Sequence, residues 1–128
     1  MNEEGVGFIS ISEICKKHIR GVVMDVFYLV LTKGNISKAE MIREFLKYDP
    51  DPNAKASKYR VTVDVAVAKL HGALLIDSWA SGNSDPYFLT QYGKEADHIL
   101  KSLFEEDPTI MLGSKITIKA MTAIEEEE

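Results

Sequence analysis

The chain has 128 residues, is 45% hydrophobic by residue and carries a net charge of −5, which is typical of one soluble globular domain. That length buries a core without disulfides or a metal, and the single Cys15 has no partner for an intramolecular disulfide, which favours a reducing, cytoplasmic setting. The best apolar run, Gly21–Leu31, is too short to span a membrane and contains Asp25, and residues 1–15 have no basic residue of the kind that begins a secretory signal. We therefore expect a cytoplasmic protein without a membrane partner.

The charges are distributed unevenly along the chain. Residues 16–71 hold 11 Lys and Arg against 6 Asp and Glu, whereas residues 72–128 hold 4 against 11, and residues 1–15 hold 0 against 3. The net negative charge argues against indiscriminate binding to nucleic acid. A basic middle segment between acidic ends still gives a DNA-binding surface an electrostatic basis, with ordinary clustering of surface charge as the alternative.

The first predicted element is one long helix. Ser10 and Glu13 have the spacing of a capping box, which predicts a start near Ile11 or Ser12. Apolar residues then recur at steps of three and four up to Leu31. Gly34 follows, and a glycine there favours the end of a helix.

A second helix is predicted from Lys38 to about Lys47, because Ser37 and Glu40 repeat the capping-box spacing before an apolar stripe. The stretch Asp49–Asn53 contains two prolines and three turn-forming residues, so it breaks the helix.

Residues 57–74 have two interpretations. Alternating valines from Val61 to Val67 are typical of a strand, whereas an inner face formed by Val63, Ala66, Val67, Leu70 and Leu74 follows helical spacing. The length of the segment and a plausible N-cap at Ser57 favour the helix. The outer face of that helix is then small and partly apolar, and consists of Val61, Val65, Ala68 and Gly72.

A hairpin and a further helix follow. Leu74–Trp79 and Pro86–Leu89 are predicted strands around a loop at Ala80–Asp85, with Trp79 and Tyr87 facing each other. Thr90 is expected to cap a helix from Gln91 to Phe104, whose inward residues are Ala96, Ile99, Leu100 and Leu103.

The ends of the chain leave alternatives open. Phe8, Ile9 and Ile11 suit a short strand, and Lys115–Met121 suits either a strand or, with Ile124, a C-terminal helix. The predicted layout is an N-terminal extension at 1–11, one domain at 12–104, and a C-terminal extension at 105–128 with an acidic tail. Gly5–Ile11 and Pro108–Ile124 are the expected dimer interface, on the premise that the core does not need them.

The order helix, helix, helix, strand, loop, strand, helix over residues 12–104 resembles the winged helix-turn-helix fold. Leu70–Ile76 looks like the end of a recognition helix that enters the first wing strand. Tyr87–Ala96 looks like the second wing strand followed by a Leu-Thr-x-x-Gly helix start, a combination similar to MarR-like and PadR-like regulators. The resemblance implies an α+β fold with a three-helix core, a two-stranded wing and a following helix. The roughly nine residues between Lys47 and Ser57 depart from the usual turn of three or four.

The resemblance also implies a transcriptional regulator that binds double-stranded DNA as a homodimer, with the helix near 57–71 in the major groove and a wing near 74–89. Lys58 and Arg60 would contact phosphate or guanine, Thr62 a base edge or phosphate, and Asp64 a cytosine amine. Val61 and Val65 would pack on thymine methyls. The full set of expected DNA contacts adds Lys38, Ser57 and Lys69, together with Ser81, Gly82 and Asn83 at the wing tip.

Two other functions compete with DNA binding. A winged helix that binds proteins is favoured by the net negative charge, by Asp64 and by a wing tip without Lys or Arg. An enzyme is not expected: Lys16 and Lys17 are placed to lower the pKa of Cys15, but a buried helix residue is the simpler interpretation. The three histidines, His18, His71 and His98, make no metal spacing with Cys15, and no cofactor motif is present.

Overall fold

The computed structural model describes residues 9–79 and 86–121. This part of the chain is α+β, mostly helical with a two-stranded antiparallel sheet. Its elements are α1 (Ile11–His18), α2 (Val22–Lys33), α3 (Lys38–Tyr48), α4 (Arg60–Gly72), β1 (Ile76–Ser78), β2 (Tyr87–Leu89) and α5 (Gln91–Glu106), with short 3₁₀ helices at Ala56–Lys58 and Pro108–Met111.

The prediction of one long N-terminal helix is wrong, because the chain bends between α1 and α2. Gly21 has a φ of +56°, and its N–H donates to the Ile110 carbonyl oxygen at 3.0 Å. A Cβ at Gly21 would lie 2.9 Å from the Leu112 carbonyl oxygen, so the close approach of the two segments also requires glycine. The predicted end at Gly34 is confirmed, with a φ of +83° and an N–H that bonds to the Val30 carbonyl.

The predicted second helix is confirmed as α3. Its capping box is complete: the Ser37 hydroxyl accepts from the Glu40 N–H at 3.2 Å, and the Glu40 carboxylate accepts from the Ser37 N–H at 3.0 Å. At α1, the Ser10 hydroxyl accepts from the Glu13 N–H at 3.1 Å, which confirms the predicted start at Ile11.

The helical interpretation of residues 57–74 is confirmed, but α4 begins later than predicted. Ser57 is not the N-cap, because it lies in the 3₁₀ helix and Tyr59 occupies the cap without a side-chain cap bond. The predicted inner residues Val63, Ala66, Val67 and Leu70 are buried. Leu74 is 61% exposed, because the helix has already ended and the chain turns there.

The two predicted strands are confirmed, each shorter than predicted, as the antiparallel pair β1–β2, with Ile76 opposite Leu89 and Ser78 opposite Tyr87. The predicted loop at Ala80–Asp85 lies outside the described residues. In this register Trp79 and Tyr87 do not face each other. Trp79 instead stacks on Phe88 with ring centroids 4.5 Å apart, and Tyr87 packs edge-on against His71 at 6.0 Å.

The predicted cap and helix after the hairpin are confirmed. The Thr90 hydroxyl accepts from the Gly93 N–H at 3.1 Å, and Ala96, Leu100 and Leu103 are buried on the inner face of α5, with Ile99 half-buried. Helix α5 packs against α1, and α2 packs against α4.

The C-terminal segment contributes to the core, contrary to the premise that the core does not need it. Ile110 and Ile116 are buried, and the strand alternative for Lys115–Met121 is wrong because residues 117–121 are helical. At the other end, Ile11 begins α1 instead of extending a strand, Ile9 lies in no regular element, and Phe8 is outside the described residues. In the described ranges, no helix is both long and apolar enough to cross a membrane.

Candidate nucleic-acid interface

The outer face of α4 is open to solvent: it comprises Val61, Val65 and Ala68 from the predicted set, and Asp64 lies exposed at its edge. These residues follow the spacing i, i+3, i+4 and i+7, which places them on one side of a helix. Val61 is 72% exposed and Val65 48%, although valine is normally a buried residue. The predicted apolar residues of the outer surface are therefore exposed.

The Asp49 carboxylate fixes the point at which α4 begins. It accepts hydrogen bonds from the Lys58 ammonium at 2.7 Å, from the Tyr59 hydroxyl and from the Asp51 N–H at 2.8 Å. These donors hold the pKa of Asp49 far below its ordinary value, with the Lys58 bond as the largest cause. The long loop after α3 is thus tied to the residues immediately before α4.

Tyr59 anchors the same junction in the core. Tyr59 is 3% exposed, and its ring stacks on Phe45 with centroids 5.2 Å apart. Burial, followed by the hydrogen bond to the Asp49 carboxylate, raises the pKa of Tyr59 to about 12. Because Tyr59 is adjacent to Arg60, this anchor also sets the position of the first side chain of α4.

Two of the predicted DNA-contacting cations are paired within the chain. Lys58 pairs with Asp49, and the Lys38 ammonium lies 3.1 Å from Asp64 Oδ1. Each pair offsets a positive charge that the sequence assigned to a phosphate or a base. The positive field at this surface is therefore weaker than the count of Lys and Arg indicates.

Arg60 differs from those lysines, because its side chain is exposed and no hydrogen bond or ion pair joins that side chain to another described residue. Lys55, which the sequence analysis did not select, is also exposed and stands immediately before the 3₁₀ helix. The sequence feature that could have identified Lys55 is its position, as a basic residue just upstream of a predicted helix start. Lys55 and Arg60 are exposed cations on either side of the Tyr59 N-cap, and they are called here the cationic end of α4.

The remaining predicted residues are spread out. Ser57 is exposed and Thr62 is half-buried. Lys69 is nine positions after Arg60, about 13 Å further along the helix axis. It lines a groove of about 520 Å³ whose other walls include Ile14, Val23 and Leu75, so the structure does not bring Lys69 together with the cationic end. Ser81, Gly82 and Asn83 lie outside the described residues.

Cys15 is a buried core residue and is not an activated thiol. It is 0% exposed, its Sγ lies 3.8 Å from the Ala96 carbonyl oxygen, and burial raises its pKa to about 11. This direction is opposite to the effect expected from Lys16 and Lys17. Over residues 9–79 and 86–121, no group of three His, Cys, Asp or Glu side chains is placed to hold a metal ion.

Comparison with known proteins adds no relative: neither protein-family models nor curated protein sequences give a match to this chain.

Proposed function

We propose that the chain is a winged helix-turn-helix protein that binds double-stranded DNA through the N-terminal half of α4. The observation that carries this proposal is the exposed Arg60, whose side chain has no partner among the described residues, at the start of a helix whose outer face is also exposed. The element order supports it, because α2, α3 and α4 are followed by a hairpin and a further helix, as in that fold.

The chemistry follows from the side chains. The Arg60 guanidinium can donate two parallel hydrogen bonds to guanine O6 and N7, or it can neutralise a phosphate. Val61 and Val65 offer methyl groups to thymine methyls in the major groove. Asp49 and Tyr59 act as positioning residues, because they determine where α4 begins. The hairpin β1–β2 serves as the wing, and a homodimer contacts two half-sites.

Salt-dependent binding to labelled duplex DNA tests this proposal. Fluorescence anisotropy with a duplex chosen by selection from a genomic library, at several salt concentrations, gives the affinity and its salt slope. Arg60→Ala is expected to weaken binding about tenfold if the arginine reads guanine, or to reduce the slope by about 0.9 if it contacts a phosphate.

Lys101→Ala is the matched control, because it removes the same charge from an exposed position on α5. It is expected to bind as the wild type does. Absence of salt-sensitive binding by the wild type, or equal binding by Arg60→Ala and the wild type, would overturn the proposal.

A winged helix that binds another protein is the second candidate. The two internal ion pairs, Lys38–Asp64 and Lys58–Asp49, favour it because they reduce the positive charge beside the exposed Val61. In that case Val61→Asp would abolish binding of the partner, whereas Arg60→Ala would have a small effect, and DNA would not compete.

A further inference from the structure

We propose that Asp64 is a specificity-determining residue that selects cytosine in the major groove, and that Lys38 is the residue that positions it. The proposal rests on the DNA-binding function of α4. The negative charge of Asp64, taken by itself, opposes binding to DNA. The proposal gives this side chain a role in recognising one base.

The position of Asp64 is the first argument. It lies at the edge of the outer face of α4, one turn after Val61 and on the side towards Lys38 of α3, and its side chain is 61% exposed. Asp64 is also the only acidic residue between Arg60 and Gly72. A helix that enters the major groove with this face forward brings the carboxylate to the base edges, where it accepts hydrogen bonds and donates none.

The second argument is the geometry of the carboxylate. The Lys38 ammonium lies 3.1 Å from Oδ1 as an ion pair, and with 61% of the Asp64 side chain exposed the carboxylate stays accessible to a ligand. Lys38 is the first residue of α3, and its backbone is fixed by the complete Ser37–Glu40 capping box. The ion pair with Lys38 therefore restrains the carboxylate on the α3 side of α4, and its exposed oxygens can still accept hydrogen bonds from a ligand.

Charge gives the third argument. An isolated aspartate on this surface would be repelled by phosphate, but the Lys38 ammonium offsets its charge. An exposed ion pair of this kind contributes little to folding stability, so stability does not account for its position on the outer face. Among major-groove edges, the amino group of cytosine is the donor with which aspartate pairs, and the neighbouring valines suit an adjacent thymine methyl.

The test is selection from a randomised duplex library, with sequencing of the bound DNA, for the wild type, Asp64→Asn, Asp64→Ala and Lys38→Met. The wild type is expected to enrich cytosine at one position of the site. Asp64→Asn is expected to enrich adenine at that same position, because an asparagine amide pairs with adenine N6 and N7. Asp64→Ala is expected to lower the cytosine preference about tenfold there, with the other positions unchanged.

Lys38→Met is expected to weaken the same cytosine preference and no other, an effect that a purely structural ion pair would not produce. Glu13→Gln removes an equal negative charge from the Glu13–Lys17 pair on α1 and is expected to keep the wild-type preferences. Thermal melts check that every variant folds.

The outcomes separate the two proposals. If the wild type and both Asp64 variants bind DNA with salt sensitivity but enrich the same bases, the role of Asp64 is wrong and DNA binding stands. If no protein enriches any sequence at either low or high salt, the proposed function is overturned, and the cytosine assignment is overturned with it.

Discussion

The buried Asp25 carboxylate joins α2 to the C-terminal segment through Thr117, accepting from its N–H at 2.9 Å and from its hydroxyl at 2.8 Å. The same carboxylate accepts from the Ser114 hydroxyl at 2.6 Å and from the Lys115 N–H at 2.7 Å. Asp25 is 0% exposed. Four donors from residues 114–117 therefore depend on one side chain that is about 90 positions away in the sequence.

Asp25→Ala is expected to destabilise the fold by about 3 kcal/mol, because it leaves buried donors without an acceptor. Urea denaturation followed by circular dichroism measures the change. Thr117→Val is the partial control: it removes the hydroxyl bond alone and is expected to cost about 1 kcal/mol. A variant Asp25→Ala within 1 kcal/mol of the wild type would show that the segment is held by its apolar contacts instead.

Gly93 is required where α5 starts against the hairpin. A Cβ at this position would overlap the Leu75 carbonyl oxygen and would lie 2.7 Å from Leu89 Cγ. Gly93→Ala is therefore expected to cost about 3 kcal/mol, measured as the free energy of unfolding. The matched control is Gly72→Ala, since nothing lies within 4 Å of a Cβ there and alanine favours a helix by up to about 1 kcal/mol. Equal effects of the two substitutions would contradict the packing argument.

Leu74 carries backbone strain just after α4. Its φ is +65°, a region that favours glycine, while its side chain is 61% exposed and buries little. Leu74→Gly is expected to be about 1 kcal/mol more stable than Leu74→Ala, because both remove the side chain but only glycine removes the Cβ. The comparison uses urea midpoints at matched slopes. A more stable alanine variant would show that the strain is absent or compensated.

The elements that could be predicted are those whose signals are local. The capping box of Ser37 and Glu40, the Thr90 cap and the Gly34 helix end all involve residues within four positions of one another, so the sequence contains the whole interaction. The bend at Gly21 is different. It depends on Ile110 and Leu112, which reach it only after the chain has folded, and the apolar pattern of α1 and α2 runs through it.

At the candidate interface, too, the sequence predicts the local features but not the contacts between distant segments. The exposure of Val61 and Val65 follows from helical spacing once the inner face of α4 is known. The pairing of Lys58 with Asp49 depends on how the loop folds back, and the pairing of Lys38 with Asp64 depends on how α3 packs on α4. Spacing along one element assigns a face to each residue, but it does not identify partners on another element.

The raised pKa of Tyr59 makes the free energy of unfolding fall as the pH rises in the alkaline range. Its folded pKa of about 12 lies above the ordinary value of 10.0, so the unfolded chain loses the phenol proton first as the pH rises. The contribution of Tyr59 is therefore fully present below pH 10 and is lost between pH 10 and about 12. Cys15 acts in the same direction between pH 9.0 and about 11, because its thiol proton is also retained more strongly in the folded state.

Tyr59→Phe in a Cys15→Ala background is expected to lose less unfolding free energy between pH 9.5 and pH 11.5 (roughly the window that these pKa values define) than Cys15→Ala alone. Urea titrations at the two pH values measure the loss. Tyr92→Phe, at an exposed tyrosine, is the matched control and is expected to behave like the Cys15→Ala background. If Tyr59→Phe and Tyr92→Phe lose stability equally, the Tyr59 phenol is neither buried nor bonded to Asp49 in solution, and another contact must fix the start of α4.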